Sequence, residues 1–127
     1  MDDRHERGLD AYASQFEIPR ETVREHLTAL VGARMAEEAI LTAGAAWVDD
    51  CLSLRERSLV VLTSLITMGG LEARLRPHVR LALKHGATPD ELEALTALLA
   101  VYAGFAKASV GAEVIRDELA RLRAGDH

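Results

Sequence analysis

The sequence predicts an all-α fold, a single-domain bundle of six to seven helices over residues 1–127. Three observations lead to this prediction. Ala, Leu, Glu and Arg dominate the chain, and all four are strong helix formers. Hairpin dipeptides such as Asn-Gly and Asp-Gly are absent, and no sustained two-residue alternation of apolar side chains appears. Apolar residues recur instead at spacings of three and four, which is typical of helices that bury one face.

The first half of the chain contains three helical segments. Residues 4–16 and 19–31 have helical composition, and the second begins with a proline, which suits the first position of a helix. Gly32 is expected to end that helix. The third segment covers residues 35–48. Gly44 lies inside it and indicates close packing, because glycine otherwise weakens a helix.

The second half begins with a strong helix start. Ser53-Leu54-Arg55-Glu56 is a capping box, in which the serine and glutamate side chains satisfy backbone N–H groups of the first turn. The helix that follows is apolar nearly all round until Gly69-Gly70 ends it. We therefore predict that it is the central, buried helix.

The remaining helices are marked by prolines and glycines. One begins between Leu71 and Arg76 and ends at Gly86, and Pro77 favours the later start because proline is tolerated in the first turn. Thr88-Pro89-Asp90-Glu91 combines an N-cap, a proline at the first position and a capping box. A last helix is predicted over residues 106–122.

Charge and composition exclude several classes of function. The net charge is −5 and no stripe of basic residues stands out, which argues against nucleic acid and against an anionic membrane surface as partners. The single cysteine, Cys51, cannot form an internal disulfide. The most apolar run, residues 59–68, is about half of what a membrane span needs. Because the first residues also lack an apolar leader, we predict a cytoplasmic protein.

His78 is the candidate catalytic residue. Its neighbours at helical spacing are apolar, so one interpretation is a satisfied core histidine. The other is functional. If Pro77 marks the helix start, His78 lies in the first turn, where the helix dipole lowers its pKa and attracts an anion. A neutral imidazole beside a bound carboxylate can exchange a proton with it.

Four other residues are candidates for substrate binding. Arg57 and Arg80 are chosen because the planar guanidinium binds carboxylates with two donors, although most arginines in this region are expected on solvated faces. Trp47 and Tyr102 are the aromatic candidates: Trp47 is also expected as a core or interface anchor, and Tyr102 ends an apolar stripe, where its hydroxyl needs a partner if it is buried. No His, Cys and carboxylate spacing indicates a metal site.

Between Leu54 and Leu119 the sequence resembles the carboxymuconolactone decarboxylase family. Four blocks carry the resemblance, in matching order and spacing: Arg55-Glu56-Arg57-Ser58-Leu59, Leu75-Arg76-Pro77-His78-Val79-Arg80, Gly86-Ala87-Thr88-Pro89-Asp90-Glu91-Leu92 and Val101-Tyr102-Ala103-Gly104-Phe105. Gly44-Ala45-Ala46-Trp47 resembles a Gly-Glu-x-Trp segment of the decarboxylases. The resemblance is to the branch without the Cys-x-x-Cys pair of the alkylhydroperoxidase D-like proteins, since the chain has one cysteine.

The resemblance implies an alkylhydroperoxidase D-like helical fold that assembles into homo-oligomers, as trimers or hexamers. It implies a pocket between subunits that contains the family histidine, here His78. It also implies a carboxy-lyase that decarboxylates an unsaturated lactone acid without a metal or an organic cofactor. The substrate is then a small carboxylic acid or lactone, and Arg57, Arg80, Trp47 and Tyr102 are expected around it.

The chain departs from the decarboxylases at four positions. Ala45 stands where they carry a glutamate, and Ala94, Leu98 and Ala106 replace a Glu, a Gln and a Pro. If these positions line the pocket, the pocket is less polar. One alternative is therefore a biosynthetic relative that acts on an apolar, polyketide-like substrate by cyclisation, aldol-type chemistry or decarboxylation. Another is a non-catalytic oligomeric scaffold or ligand-binding protein.

Overall fold

The computed structural model describes residues 3–125, and these residues form seven α-helices and no strand. The prediction of an all-α fold is confirmed. The helices fall into two compact units, residues 3–52 and residues 53–125, which are described separately below. A single domain over residues 1–127 stays a prediction.

The first unit contains three α-helices and a π-helical turn. Helix α1 is Asp3–Phe16, and a 3-10 turn at Arg20–Thr22 leads into α2, Val23–Val31. Helix α3, Ala33–Glu38, continues directly into the π-helical turn Ala39–Gly44. A small apolar core holds these elements together, consisting of Leu9, Val23, Leu27, Ala36 and Ile40.

Two sequence predictions in this unit need correction. Pro19 is not the first residue of a helix, since its backbone is extended and it precedes the 3-10 turn. The third helical segment begins at Ala33 rather than Met35, and its middle is π-helical rather than α-helical. A π-helical turn widens the helix by one residue, and the local composition of the segment gives no signal for it.

Glycine permits the closest helix contact in the first unit. A Cβ atom built on Gly8 of α1 would lie 1.8 Å from the carbonyl oxygen of Ile40. One built on Gly44 would lie 2.7 Å from the Cα of Gly8. The close packing predicted from Gly44 is therefore confirmed, and its partner is α1.

The second unit contains four α-helices: α4, Leu54–Met68; α5, Glu72–Lys84; α6, Pro89–Tyr102; and α7, Phe105–Arg123. Helix α4 packs against α5 and α7, and α6 packs against α7. Their shared core is apolar, and its most deeply buried large side chains are Leu62, Val79 and Leu92. This core fixes the position of α5, which carries His78.

Both capping boxes predicted from the sequence are present. The Ser53 hydroxyl accepts from the backbone N–H of Glu56 at the start of α4, and Thr88 and Glu91 form the same arrangement at the start of α6. Arg55 on the first turn of α4 pairs with the Glu91 carboxylate. The two helix starts are thus joined by an ion pair.

Helix α4 is not buried on all sides of the single chain, which corrects the prediction of a central, buried helix. Ser58, Leu62 and Ile66 form its buried face, at a spacing of four residues. Val60 and Met68 are 54% and 60% exposed. The apolar residues of α4 therefore exceed what its own chain covers.

Helix α5 begins earlier than its proline suggests. It begins at Glu72, so Pro77 lies inside the helix rather than in the first turn. Proline has no N–H, so the carbonyl oxygen of Ala73 receives no helical hydrogen bond from it. The burial of Leu75, Val79 and Ala82 against the shared core stabilises the helix across this gap. Tertiary packing has overridden the local signal.

None of the helices formed by residues 3–125 has the length and apolar character needed to cross a membrane. The cytoplasmic location stays a prediction.

Candidate functional site

His78 lies in the middle of α5, one helical turn after the buried Leu75 and one turn before the buried Ala82. Its side chain is partly buried, and this burial lowers the pKa of the imidazole below its ordinary value. Because the ordinary value is about 6.5, the imidazole is neutral at pH 7. The sequence argument predicted this direction but gave the wrong cause. His78 is not in the first turn, so desolvation, and not the helix dipole, is responsible.

A second histidine, His85, joins the end of α5 to the start of α4. Its Nδ1 lies 2.8 Å from the Oγ of Ser58, and the backbone of Leu54 is a further hydrogen-bond partner. Burial lowers the pKa of His85, and the positive charges of Lys84 and Arg57 lower it further. The two side chains thus share a hydrogen bond between the Ser58 Oγ and the His85 Nδ1.

The sequence analysis did not identify this contact between Ser58 and His85. One signal was available, because Ser58 occupies the same four-residue register as Leu62 and Ile66 and is 1% exposed. A hydroxyl on a buried face needs a partner. The sequence does not show which residue is that partner, because His85 lies 27 residues further along the chain.

Arg57 is half-buried on the second turn of α4, and its charge acts on His85. It therefore lies near the C-terminal end of α5, whereas His78 lies two helical turns earlier on the same helix. The structure thus brings Arg57 close to His85. Binding of a carboxylate by Arg57 stays a prediction.

Arg80 contacts a buried carboxylate on α7. Its guanidinium lies 3.2 Å from Glu118, and Arg76 lies 3.1 Å from the other oxygen of the same group. Glu118 is 1% exposed, so the two arginines neutralise a charge that has been removed from water. Arg80 has further donors, but one is already committed to this pair. Its predicted role in substrate binding stays a prediction.

The two aromatic candidates occupy very different environments. Trp47 is half-buried and follows the last helical residues of the first unit. Tyr102, the last residue of α6, is 82% exposed. Tyr102 is thus largely open to solvent in the single chain, and its predicted contact with substrate stays a prediction.

The four positions that depart from the decarboxylases are also dispersed. Ala45 is buried in the first unit, and Ala94 and Leu98 are exposed on α6. Ala106 lines a cavity between the end of α4, the start of α5 and the start of α7. We call this the α4–α5 cavity. It has a volume of about 380 Å³, and its walls are formed mainly by Leu65, Ile66, Met68, Leu71, Leu75 and Val110.

The α4–α5 cavity is adjacent to the candidate histidine along α5. Leu75, which lines the cavity, is three residues before His78 on the same helix. Nowhere in residues 3–125 do three or more His, Cys, Asp or Glu side chains come together as a metal site.

These features define a class of protein. It is all-helical, and its candidate histidine is partly buried on α5, the helix that follows the capped and largely apolar α4. The model of the carboxymuconolactone decarboxylase family matches residues 35–117, which is more than half of the chain. The chain belongs to the carboxymuconolactone decarboxylase family, and the resemblance stated from the sequence is confirmed. Comparison with curated proteins and with solved structures gave no significant match.

Proposed function

We propose that the protein is a cofactor-free lyase that decarboxylates an unsaturated lactone acid, with His78 as proton donor and acceptor. Membership of the family supports the class of reaction. The observation that carries the assignment of His78 is its partial burial, which keeps the imidazole neutral at pH 7. A neutral imidazole can take up a proton and pass it on, as a general acid–base group must.

The proposed reaction needs no cofactor, because the substrate itself accepts electrons. The bond between the ring carbon and the carboxylate breaks, carbon dioxide leaves, and the electron pair passes into the conjugated lactone carbonyl as an enolate. His78 takes up a proton from solvent, the resulting imidazolium transfers that proton to the enolate carbon, and the imidazole is neutral again. Apolar surroundings favour the first step, since a carboxylate removed from water loses the hydration that stabilises its charge.

The remaining site residues have proposed roles in binding. Arg57 and Arg80 would hold the carboxylate or polarise the lactone carbonyl, where the guanidinium would stabilise the enolate as its charge develops. Trp47 and Tyr102 would cover the apolar part of the substrate. Arg80 would act while it remains paired with Glu118.

A more apolar substrate is the second candidate, and the α4–α5 cavity favours it. The walls of the cavity are mainly aliphatic, and Ala106 is one of the lining residues. Loss of a glutamate at Ala45 points in the same direction. The protein would then act on a larger, polyketide-like molecule by cyclisation, aldol-type chemistry or decarboxylation.

Self-association is part of this proposal, with a trimer or a hexamer as the expected assembly. The end of α6 and the start of α7 leave a group of apolar side chains exposed. Its largest members are Leu98, Val101, Tyr102 and Phe105, which are 62%, 77%, 82% and 75% exposed. Apolar patches of this kind mark association sites. Light scattering at micromolar concentration should detect the oligomer, and a stable monomer would contradict it.

The function is tested by measuring carbon dioxide release from carboxymuconolactone. We expect turnover by the native chain and a loss of at least about a hundredfold in His78→Gln, because an amide cannot exchange a proton near neutral pH. His26→Gln is the matched control, since His26 is exposed on α2. Arg57→Lys should raise KM more than it lowers kcat, because it keeps the charge and loses the second donor.

Two results would count against the proposal. If His78→Gln keeps full activity, His78 is a core histidine and the proton comes from elsewhere. If the native chain releases no carbon dioxide but is a stable oligomer, the non-catalytic scaffold or ligand-binding protein becomes the better description. Gene neighbourhood separates the two catalytic candidates, since genes of protocatechuate catabolism favour the lactone acid.

A further inference from the structure

We infer that the α4–α5 cavity binds a small apolar molecule with one carboxylate, and that Lys107 holds the carboxylate. This inference concerns the cavity that favours the second, more apolar candidate, and it does not depend on the lyase proposed for His78, because His78 is not among the residues that line the cavity. The inference rests on the shape of the cavity, on its two charged residues and on the glycines that open it.

The shape and walls suit a short aliphatic or aromatic chain. The volume of about 380 Å³ lies near the lower end of the range of about 300–1,000 Å³ that ligand pockets occupy. Leu65, Met68 and Val110 contribute aliphatic side chains from two helices, and Met68 and Val110 are exposed to solvent in the single chain. A chain of about eight carbons would therefore remove apolar surface of the protein, as well as its own, from water.

Two glycines keep the cavity open and place Lys107 at its rim. A Cβ atom on Gly111 would come within 2.8 Å of the Ile66 side chain. Because glycine has no Cβ atom, the Ile66 side chain is left exposed to the cavity. Gly69 has a φ of +73° and ends α4. The Lys107 stem passes over it, with Cε 3.6 Å from the position that a Gly69 Cβ would take. A side chain at Gly111 would displace Ile66, whereas one at Gly69 would meet the Lys107 stem at an ordinary van der Waals distance and would be strained by the positive φ.

The charges limit the ligand to a single carboxylate. Lys107 is the one cationic residue of the lining, and Glu72 is the one anionic residue. Across residues 3–125, no carboxylate lies within ion-pair distance of the Lys107 ammonium. A monocarboxylate supplies that partner. A dicarboxylate would place its second charge against aliphatic walls or towards Glu72, both of which are unfavourable.

The chain is well suited to a direct test, because Lys84 and Lys107 are its only lysines. Reductive methylation with ¹³C-formaldehyde keeps both side chains cationic and labels each for NMR. We expect octanoate to shift the Lys107 signal saturably and to leave the Lys84 signal in place. Hexanoate should bind about tenfold more weakly than octanoate, since two fewer methylene groups are buried. Octylamine should not bind.

Variants separate the carboxylate contact from the apolar contact. Lys107→Met should weaken octanoate about two- to fivefold, the range of an exposed ion pair, and leave 1-octanol unchanged. Lys84→Met is the matched control and should change neither. Glu72→Gln should tighten octanoate, because it removes a like charge. Ala106→Phe, at an exposed lining position, should weaken both octanoate and 1-octanol by filling the cavity.

Three results would overturn the inference: no saturable shift of Lys107, an equal shift of Lys84, or octanoate affinity unchanged in a folded Ala106→Phe. None of these affects the carbon dioxide assay, so failure of the second site and failure of the proposed lyase are distinguishable. Conversely, octanoate binding at Lys107 with no lyase activity would leave this site standing alone.

Discussion

Replacement of Gly8 by alanine tests the helix contact that organises the first unit. The carbonyl oxygen of Ile40 would lie 1.8 Å from the new Cβ atom, whereas real Cβ contacts are essentially never below 3.0 Å. The neighbour is backbone and cannot rotate away, so α1 and the π-helical turn must separate by roughly 1 Å. Overpacking of this kind costs about 1–3 kcal/mol, and we place this case at the upper end.

The expected change is the difference between two opposing effects. Alanine is favoured over glycine inside a helix by about 1 kcal/mol. Set against a steric cost of about 3 kcal/mol, Gly8→Ala should lower the free energy of unfolding by about 2 kcal/mol. Gly111→Ala is the matched control, because its Cβ atom meets the Ile66 side chain at 2.8–2.9 Å beside the α4–α5 cavity. Ile66 can yield towards that space, so the control should stay within about 1 kcal/mol of the native chain.

Urea denaturation measures both changes. Trp47 is the only tryptophan and belongs to the first unit, so its fluorescence reports on the unit that contains Gly8. The midpoint should fall with little change in the slope against denaturant concentration. If Gly8→Ala instead stabilises the chain by about 1 kcal/mol, helix propensity alone decides the outcome and the close contact is not as described.

Two further predictions concern the cysteine and the histidines. Cys51→Ser should leave turnover within a few-fold in the carbon dioxide assay, because Cys51 is exposed and no second thiol exists for a redox cycle; loss of turnover in a folded variant would contradict this. His78 and His85 both have lowered pKa values in the folded state. Just below about pH 6.5, the ordinary pKa of histidine, these two side chains therefore bind more protons in the unfolded chain than in the folded one. The contribution of the two neutral histidines to the free energy of unfolding should be complete above about pH 6.5 and be lost as the pH falls through their lowered pKa values in the folded state. In urea titrations, the free energy of unfolding of a variant with both histidines changed to Gln should therefore depend less on pH.

The elements that the sequence predicted well are those set by adjacent residues. The two capping boxes and Gly32 satisfy or end a helix within one turn, so a reader of the sequence has all the groups involved. The seven helices and the absence of strands in residues 3–125 follow from the same local rules. Pro77 is the instructive failure. Its local effect is to break a helix, yet burial of one face of α5 keeps the helix intact.

In the candidate site, too, features set by adjacent residues could be predicted, and features set by packing between helices could not. His78 was identifiable as a histidine on an apolar helical face, and the direction of its pKa shift could be predicted. The cause of the shift could not, because it depends on where α5 begins and on what packs against it. The contact of Ser58 with His85 and the pairing of Arg80 with Glu118 were also inaccessible. Each joins residues from different helices.

The sequence by itself determined the helical class, the capped helix starts, the family and the candidate histidine, because each depends on groups within a few residues or on a pattern of matched blocks. The tertiary structure decided which side chains lose water. Glu118 is 38 residues from Arg80, and nothing in either local sequence specifies that this carboxylate is buried between two arginines. Burial is a property of the packed assembly of helices, and it sets the charge state and the partners of each titratable group.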